Sequence, residues 1–248
     1  MKEYGREFYA NRDDGARRSA ELVVPIVMEL VRPRRVVDVG CGEGAWLAVF
    51  REHGAEVRGV DGDWVDRARL KIPADRFTVA DLGAPLRLDE RFDLAVSLEV
   101  AEHLDPSSAE TFVESLARLA PVVLFSAAIP GQGGRHHVNE QWPAYWARLF
   151  EGRGLVPVDA IRSRIWGATQ IEWWYAQNAV LFASPAALEA GPALRAAHAA
   201  SPRVPPALVH PRHYAEKADP GRLTLSQLLR LVPAAIRRAA VHRWRPRR

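Results

Sequence analysis

The sequence predicts an α/β domain: a mostly parallel sheet with helices on both faces. Three observations predict it. Short apolar, β-branched runs alternate with segments of helical period through residue 183. The first of these runs ends in a glycine-rich turn that opens directly into a helix. The length of 248 residues suits one such domain with additions.

Residues 13–31 form the first predicted helix, with Ala20, Val23, Val24, Val27, Leu30 and Val31 at helical spacing and Pro33 ending it. RRVVDVG (34–40) is a buried strand closed by glycine, and CGEGAWLAVFREHG a turn and a helix stopped by Gly54. Strands follow at 55–61, 76–81 and 91–100, then a helix at 106–119 and a strand at 121–128. Residues 141–152 read as a helix, 155–162 and 178–183 as strands. The total is seven strands, and the late pair is compatible with an antiparallel edge. Residues 1–183 are thus one domain, with 1–33 as its N-terminal cap helix. Residues 184–248 are a Pro/Ala/Arg-rich extension. Its first part, 184–222, has many prolines and no clear period, hence a loose path. Residues 223–242 read as a helix again, with Leu225, Leu228, Leu229, Val232 and Ile236 on one side.

The formal net charge of +4 is uneven. RRAAVHRWRPRR (237–248) has no acidic residue, so the rest is near neutral and the basic balance does not by itself imply nucleic acid. This tail reads three ways: an amphipathic helix on an anionic membrane surface, an anchor for nucleic acid, or a solvated end. The single cysteine, Cys41, excludes an internal disulfide framework and a multi-cysteine metal site. There is no signal-peptide core and no apolar run long enough to span a bilayer, so the expected location is cytoplasmic.

The strongest local signal is VVDVGCGEGAW (36–46). Gly40, Gly42 and Gly44 make a tight turn that a ligand can approach closely. Asp61, ending the next strand, can accept both hydroxyls of a ribose, and Asp81, ending the third, an adenine amino group beside Leu82. A dinucleotide competes, but its loop runs G-x-G-x-x-G, whereas this one is G-x-G-x-G with Glu43 inside it. An acidic turn repels phosphate and suits the ammonium of S-adenosylmethionine (SAM).

With FDLAVSLEVAEHL, these motifs resemble the class I SAM-dependent methyltransferases over about residues 34–130. The resemblance implies a Rossmann-like fold, and that Asp38, Gly40, Gly42, Asp61, Asp81 and Leu82 border the cofactor. SAELVVPIVMELVRPRRVVDVGCG, HHVNEQWPAYWARLFEGRGL and WWYAQNAVLF look like a bacterial subgroup associated with glycans and sugar-containing metabolites.

Glu99-x-x-Glu102-His103 follows the fourth strand. In a helical turn these three side chains share one face, a mixed O/N set suited to Mg²⁺ or Mn²⁺. Arg135-His136-His137-Val138-Asn139-Glu140 follows the flexible PGQGG loop (130–134) and can close over the same crevice. The pattern resembles small-RNA 3′-end 2′-O-methyltransferases and ubiquinone-biosynthesis O-methyltransferases. That resemblance implies Glu99, Glu102, His103 and His137 as metal ligands, with His136 as an alternative ligand or base. The bland alternative is a metal-free enzyme whose glutamate borders the cofactor and whose loop histidines are solvated.

Cys41 reads as packing. Trp142, Tyr145, Trp146, Trp166, Trp173, Trp174 and Tyr175 read mainly as core or lid, with some left to stack on a sugar; Gln170, Glu172 and Gln177 are nearby hydrogen-bonding candidates. The expected activity is metal-assisted O-methylation of a sugar hydroxyl, with Glu99, His136 and His137 as catalytic candidates. The alternatives are a metal-free small-molecule O-methyltransferase with a histidine base, an RNA 2′-O-methyltransferase, or a silent SAM-binding subunit. A homodimer is compatible with the chain.

Overall fold

The computed structural model describes residues 6–219, and beyond them Leu225, Leu228, Leu229, Val232, Pro233 and Ile236, with side chains described from Asp14 onward. Two compact units divide the chain, Met1–Leu208 and Val209–Arg248.

The first unit is a seven-stranded sheet in the order β3-β2-β1-β4-β5-β7-β6. Its strands are β1 (Arg35–Val39), β2 (Glu56–Asp61), β3 (Phe77–Val79), β4 (Leu94–Leu98), β5 (Val122–Ser126), β6 (Val156–Val158) and β7 (Val180–Ala183). β7 runs antiparallel to both neighbours, β5 and β6, while the pairings among β1 to β5 are parallel. This is the mostly parallel, Rossmann-like arrangement that the sequence predicts.

Strand alternation builds two cores. Val36, Leu94, Val122, Leu124 and Leu181 face one side, with α1 (Arg6–Leu30) and α2 (Ala45–Glu52) supplying Val23, Val27, Leu47 and Phe50. Val37, Ala95, Val123, Phe125 and Phe182 face the other, against Phe112 and Leu116 of α3 (Ala109–Leu119) and Trp146 and Phe150 of α4 (Pro143–Glu151). Phe150 stacks on Phe182 at 4.1 Å. The active edge follows from this architecture: in parallel sheets the C-terminal strand ends open onto the ligand crevice where strand order reverses, here between β1 and β4.

Several elements differ from expectation. The strand expected at 155–162 is only β6, because Arg162 turns inward and begins the short helix α5 (Arg162–Ile165). Its guanidinium is fully buried, paired with Asp159 at 2.5 Å, and donates to the carbonyls of Gln177 and Pro206. Residues 173–178 form α6 (Trp173–Asn178), which the aromatic run conceals. The loose path expected at 184–222 is instead largely helical. It holds α7 (Pro185–Ala190), α8 (Pro192–Ala200) and, in the second unit, α9 (Pro211–Ala218). Each starts with proline in its first turn, where the missing N–H costs nothing. Prolines that read as breakers are therefore starters. Leu225, Leu228, Leu229, Val232 and Ile236 are helical and exposed; the basic segment 237–248 lies outside the described residues. Among the described residues no helix is long and apolar enough to cross a membrane.

Arg162→Ala would strand the Asp159 carboxylate and two carbonyls. A loss of about 3–5 kcal/mol in unfolding free energy is expected from denaturant titration, and a loss under about 1 kcal/mol would contradict the latch.

Candidate active site

β1 delivers the chain into the glycine turn with Asp38 level with Gly59 of β2 and Val96 of β4. Gly40 sits at φ 88°, and a Cβ there would lie 2.3 Å from a Val100 methyl carbon. Only glycine permits both the left-handed turn and the close approach of the segment after β4. The turn closes through Gly44 N–H to the Cys41 carbonyl at 2.9 Å, and α2 starts at Ala45.

Three acids crowd this turn, and they differ. Glu43 is paired with Arg69 at 3.0 Å, so its charge is compensated. From sequence the phosphate-repelling acid is expected to be Glu43; with Glu43 compensated by Arg69, Asp38 and Asp61 are the acids left at the turn. Asp61 accepts backbone N–H groups from Gly42 and Gly62, both at 2.7 Å. Burial nonetheless raises its pKa, and the two amides only partly offset this. Asp38 is 3% exposed; burial, then the Asp61 charge, push its carboxyl well above the usual range. Two buried carboxyl groups, each disfavoured as an anion until a partner compensates it, thus flank the turn. They favour a ligand bringing hydroxyl donors and a cation, and disfavour a pyrophosphate.

Asp81 lies just beyond β3, exposed, with Oδ1 accepting from Gly83 N–H at 3.0 Å. Ala80 N–H to the Asp61 carbonyl, 2.9 Å, ties that segment to β2, and Leu82 is buried in the core beside it. Cys41 is buried, and its thiol pKa is pushed well up by burial and then by Asp38 and Asp61, so it packs rather than reacts.

Beyond β4, Glu99 takes a left-handed backbone conformation, φ 56°. This breaks the helical register expected for Glu99-x-x-Glu102-His103; a single 3₁₀ turn covers Ala101–His103 only. Glu99 therefore points elsewhere. Its carboxylate accepts from Gln132 Nε2 at 2.9 Å and Asn178 Nδ2 at 3.0 Å, while Ser126 Oγ accepts its backbone N–H. Gln177 completes this buried amide cluster, donating to Gln132 and Asn178 at 3.1 Å each. Burial raises the Glu99 pKa despite these donors.

Glu102, His103 and His137 converge, with ligand atoms all within 4.8 Å of one another. Glu99 is not in this group. The His103 and His137 rings meet edge to face at 4.8 Å. The His137 loop is fastened to the same segment, since the Val138 and Asn139 N–H groups both donate to the Glu102 carbonyl, at 2.8 and 3.0 Å. Glu140 grips the loop from within, accepting from Gly131 N–H, Gly133 N–H and His137 Nδ1. Burial works against its carboxylate, but the His137 ring and the two amides outweigh it and lower its pKa. His136 is exposed, at φ 56°.

Five of the seven cluster aromatics are packing: Trp146, Trp173 and Tyr175 are buried, Tyr175 meeting Trp46 at 5.0 Å, and Tyr145 and Trp174 pack half-buried against the cores. Trp142 is 40% exposed beside the loop. Gln170 is exposed, and Glu172 lies at the start of α6. Sequence reasoning missed Gln132 and Asn178, and it named Glu140 only as part of the 135–140 cluster, without its clamp on the loop. For Gln132 the flanking glycines were the available signal; for Glu140 it was the H-x-x-E spacing, which belongs to the small-RNA methyltransferase resemblance.

Residues 7–179 match the family described as a methyltransferase domain. A malonyl-[acyl-carrier protein] O-methyltransferase of Pseudescherichia vulneris is 32% identical over 142 residues, 56% of this chain and 55% of that protein. The chain thus spans about half the length of that relative. A trans-aconitate 2-methyltransferase of Rhizobium leguminosarum bv. trifolii is 28% identical over 180 residues, 66% of this chain and 68% of that protein. Among solved structures, a sugar N-methyltransferase from Streptoalloteichus sp. ATCC 53650 superposes with a TM-score of 0.56 at 19% identity, covering 74% of this chain and 96% of that one. That degree of identity speaks to the fold alone.

Two outcomes follow for the turn. Asp61→Ala removes charge-assisted acceptors worth about 1.5–3 kcal/mol, so calorimetry should find S-adenosylhomocysteine bound about 10–100-fold more weakly; unchanged affinity would contradict the assignment. For Asp38, the folded pKa exceeds the unfolded one, so the folded state holds the extra proton and wild-type stability falls as pH rises through that window. Ligand-free Asp38→Asn should therefore melt higher than wild type at neutral pH. The advantage should vanish below the ordinary aspartate range, and a gap that widens in acid would refute it.

Proposed function

We propose a specific reaction for a chain that belongs to the methyltransferase-domain family and is a SAM-dependent methyltransferase: methyl transfer to a hydroxyl of a sugar in a glycan, glycolipid or glycosylated metabolite. The observation that carries the proposal is the convergence of Glu102, His103 and His137 beyond β4, where the sheet opens to ligands.

The donor set fits a divalent cation. One carboxylate oxygen and two imidazole nitrogens form the mixed set that Mn²⁺ or Mg²⁺ accepts. His137 Nδ1 is occupied by Glu140 at 2.9 Å, leaving Nε2 to ligate. A cation held there would supply Lewis acidity that eases deprotonation of a sugar hydroxyl.

The transfer itself is an in-line displacement. The acceptor oxygen forms a bond to the methyl carbon, the carbon–sulfur bond breaks, S-adenosylhomocysteine leaves neutral, and the hydroxyl proton goes to a base. The chain's work is to orient both reactants. Asp61 and the glycine turn hold the nucleoside end, and the buried amides of Gln132 and Asn178 fix the Glu99 carboxylate near the crevice. Exposed Trp142, beside the histidine loop, offers a face on which a sugar can stack.

A second reading has its own support. A histidine oriented by a carboxylate is also how a metal-free general base is built, and the His137–Glu140 pair has that form. His137→Ala lowers turnover about 100-fold or more under either reading. Chelation separates them. With a panel of sugar acceptors, the cation reading expects EDTA to abolish methylation and Mn²⁺ or Mg²⁺ to restore it. Methylation indifferent to EDTA leaves His137 acting as the base.

A further inference from the structure

We infer that Glu140 is the positioning residue of the cation site: it sets the tautomer and aim of His137, and through them the site's affinity. The inference rests on the cation reading above, and concerns how this chain builds the site.

A carboxylate only accepts hydrogen bonds. Glu140 Oε1 lies 2.9 Å from His137 Nδ1 and 2.6 Å from Gly133 N, and Oε2 lies 2.8 Å from Gly131 N. The Gly131 and Gly133 amides anchor the carboxylate, so it cannot turn to suit the ring. His137 Nδ1 must carry a proton, so in the neutral ring the Nε2 lone pair is left bare. A ring free to exchange tautomers would spend part of its time with a proton where a cation must bind.

Two further features aim that lone pair. A Cβ on Gly134 would lie 2.2 Å from His137 Nε2, so the ring occupies space only a glycine leaves open. The left-handed backbone at His136 turns the next residue back into the protein, where His137 meets His103 at 4.8 Å. The Val138 and Asn139 amides then lock the loop to the Glu102 carbonyl, in the 3₁₀ turn that carries the other two donors. Glu140 thus sits at the junction of the loop's anchor and its ligand. Carboxylates behind ligating histidines typically account for about 10–100-fold in metal affinity.

The test uses the full chain and Mn²⁺ alone, with binding read by calorimetry and by the Mn²⁺ spin-resonance signal. Wild type is expected to bind one Mn²⁺ per chain, and Glu140→Gln to bind it about 10–100-fold more weakly. S-adenosylhomocysteine affinity in Glu140→Gln serves as the control for folding. Gly134→Ala pushes on the His137 ring, itself a donor, while leaving Glu140 in place, and should weaken Mn²⁺ binding in the same direction; Glu140→Asp, which keeps the charge and shortens the reach, carries the test if Glu140→Gln fails to fold. Nitrogen chemical shifts of His137 in metal-free protein give an independent readout, with Nε2 bare in wild type and a mixture of tautomers in Glu140→Gln. Mn²⁺ binding that the Glu140 variant leaves unchanged overturns the inference alone, as does a wild-type neutral His137 protonated on Nε2. A wild type that binds no Mn²⁺ overturns the cation reading and the inference with it.

Discussion

Two carboxyl groups buried side by side at the end of β1 and β2 constrain the rest of the site. Asp38 and Asp61 are each pushed towards the neutral form by burial, and the Asp61 charge adds to the strain at Asp38. Burying an uncompensated carboxylate costs several kcal/mol even after relaxation, roughly the scale on which a whole domain is stable. The chain bears that cost where a ligand can relieve it. Hydroxyls donate to carboxylates and an ammonium neutralises them, so a nucleoside sulfonium with an amino-acid arm meets the demand that the turn creates. A pyrophosphate would aggravate it.

The second half of the site is built on the other side of the sheet's switch point, and its rigidity comes from backbone as much as from side chains. The loop after β5 hangs on the Glu102 carbonyl through two amides and is gripped internally by Glu140. The Glu99 carboxylate is fastened by amides from that same loop and from α6. Loop, 3₁₀ turn and α6 are therefore one connected polar body. Arg162 extends it by donating to the carbonyl of Gln177, one residue from Asn178. A site assembled in this way resists small displacements, which is what an in-line displacement requires.

The fold was legible because each core strand states its own alternation. Val36 and Val37, or Leu124 and Phe125, face opposite cores in the structure as their spacing demands. The glycine turn was legible because its chemistry is local: Gly40, Asp38 and Asp61 are read from two adjacent strands. The cluster beyond β4 was only half legible. Helical spacing grouped Glu99 with Glu102 and His103, but the left-handed backbone at Glu99 is invisible to periodicity and sends that side chain to the amides. Asn178 and Gln132 lie far from Glu99 in sequence, and polar residues without charge give no long-range signal. The prolines of 184–222 misled for a related reason, since a helix start and a breaker look alike until the following turn is seen.

The sign of the charge that the glycine turn accepts decides what this protein binds. Isothermal calorimetry of the purified full chain, titrated separately with SAM and with NADH, tests that sign. SAM should bind and NADH should give no heat at millimolar concentration. Binding of NADH with none of SAM would mean that the buried acids do not select a cation.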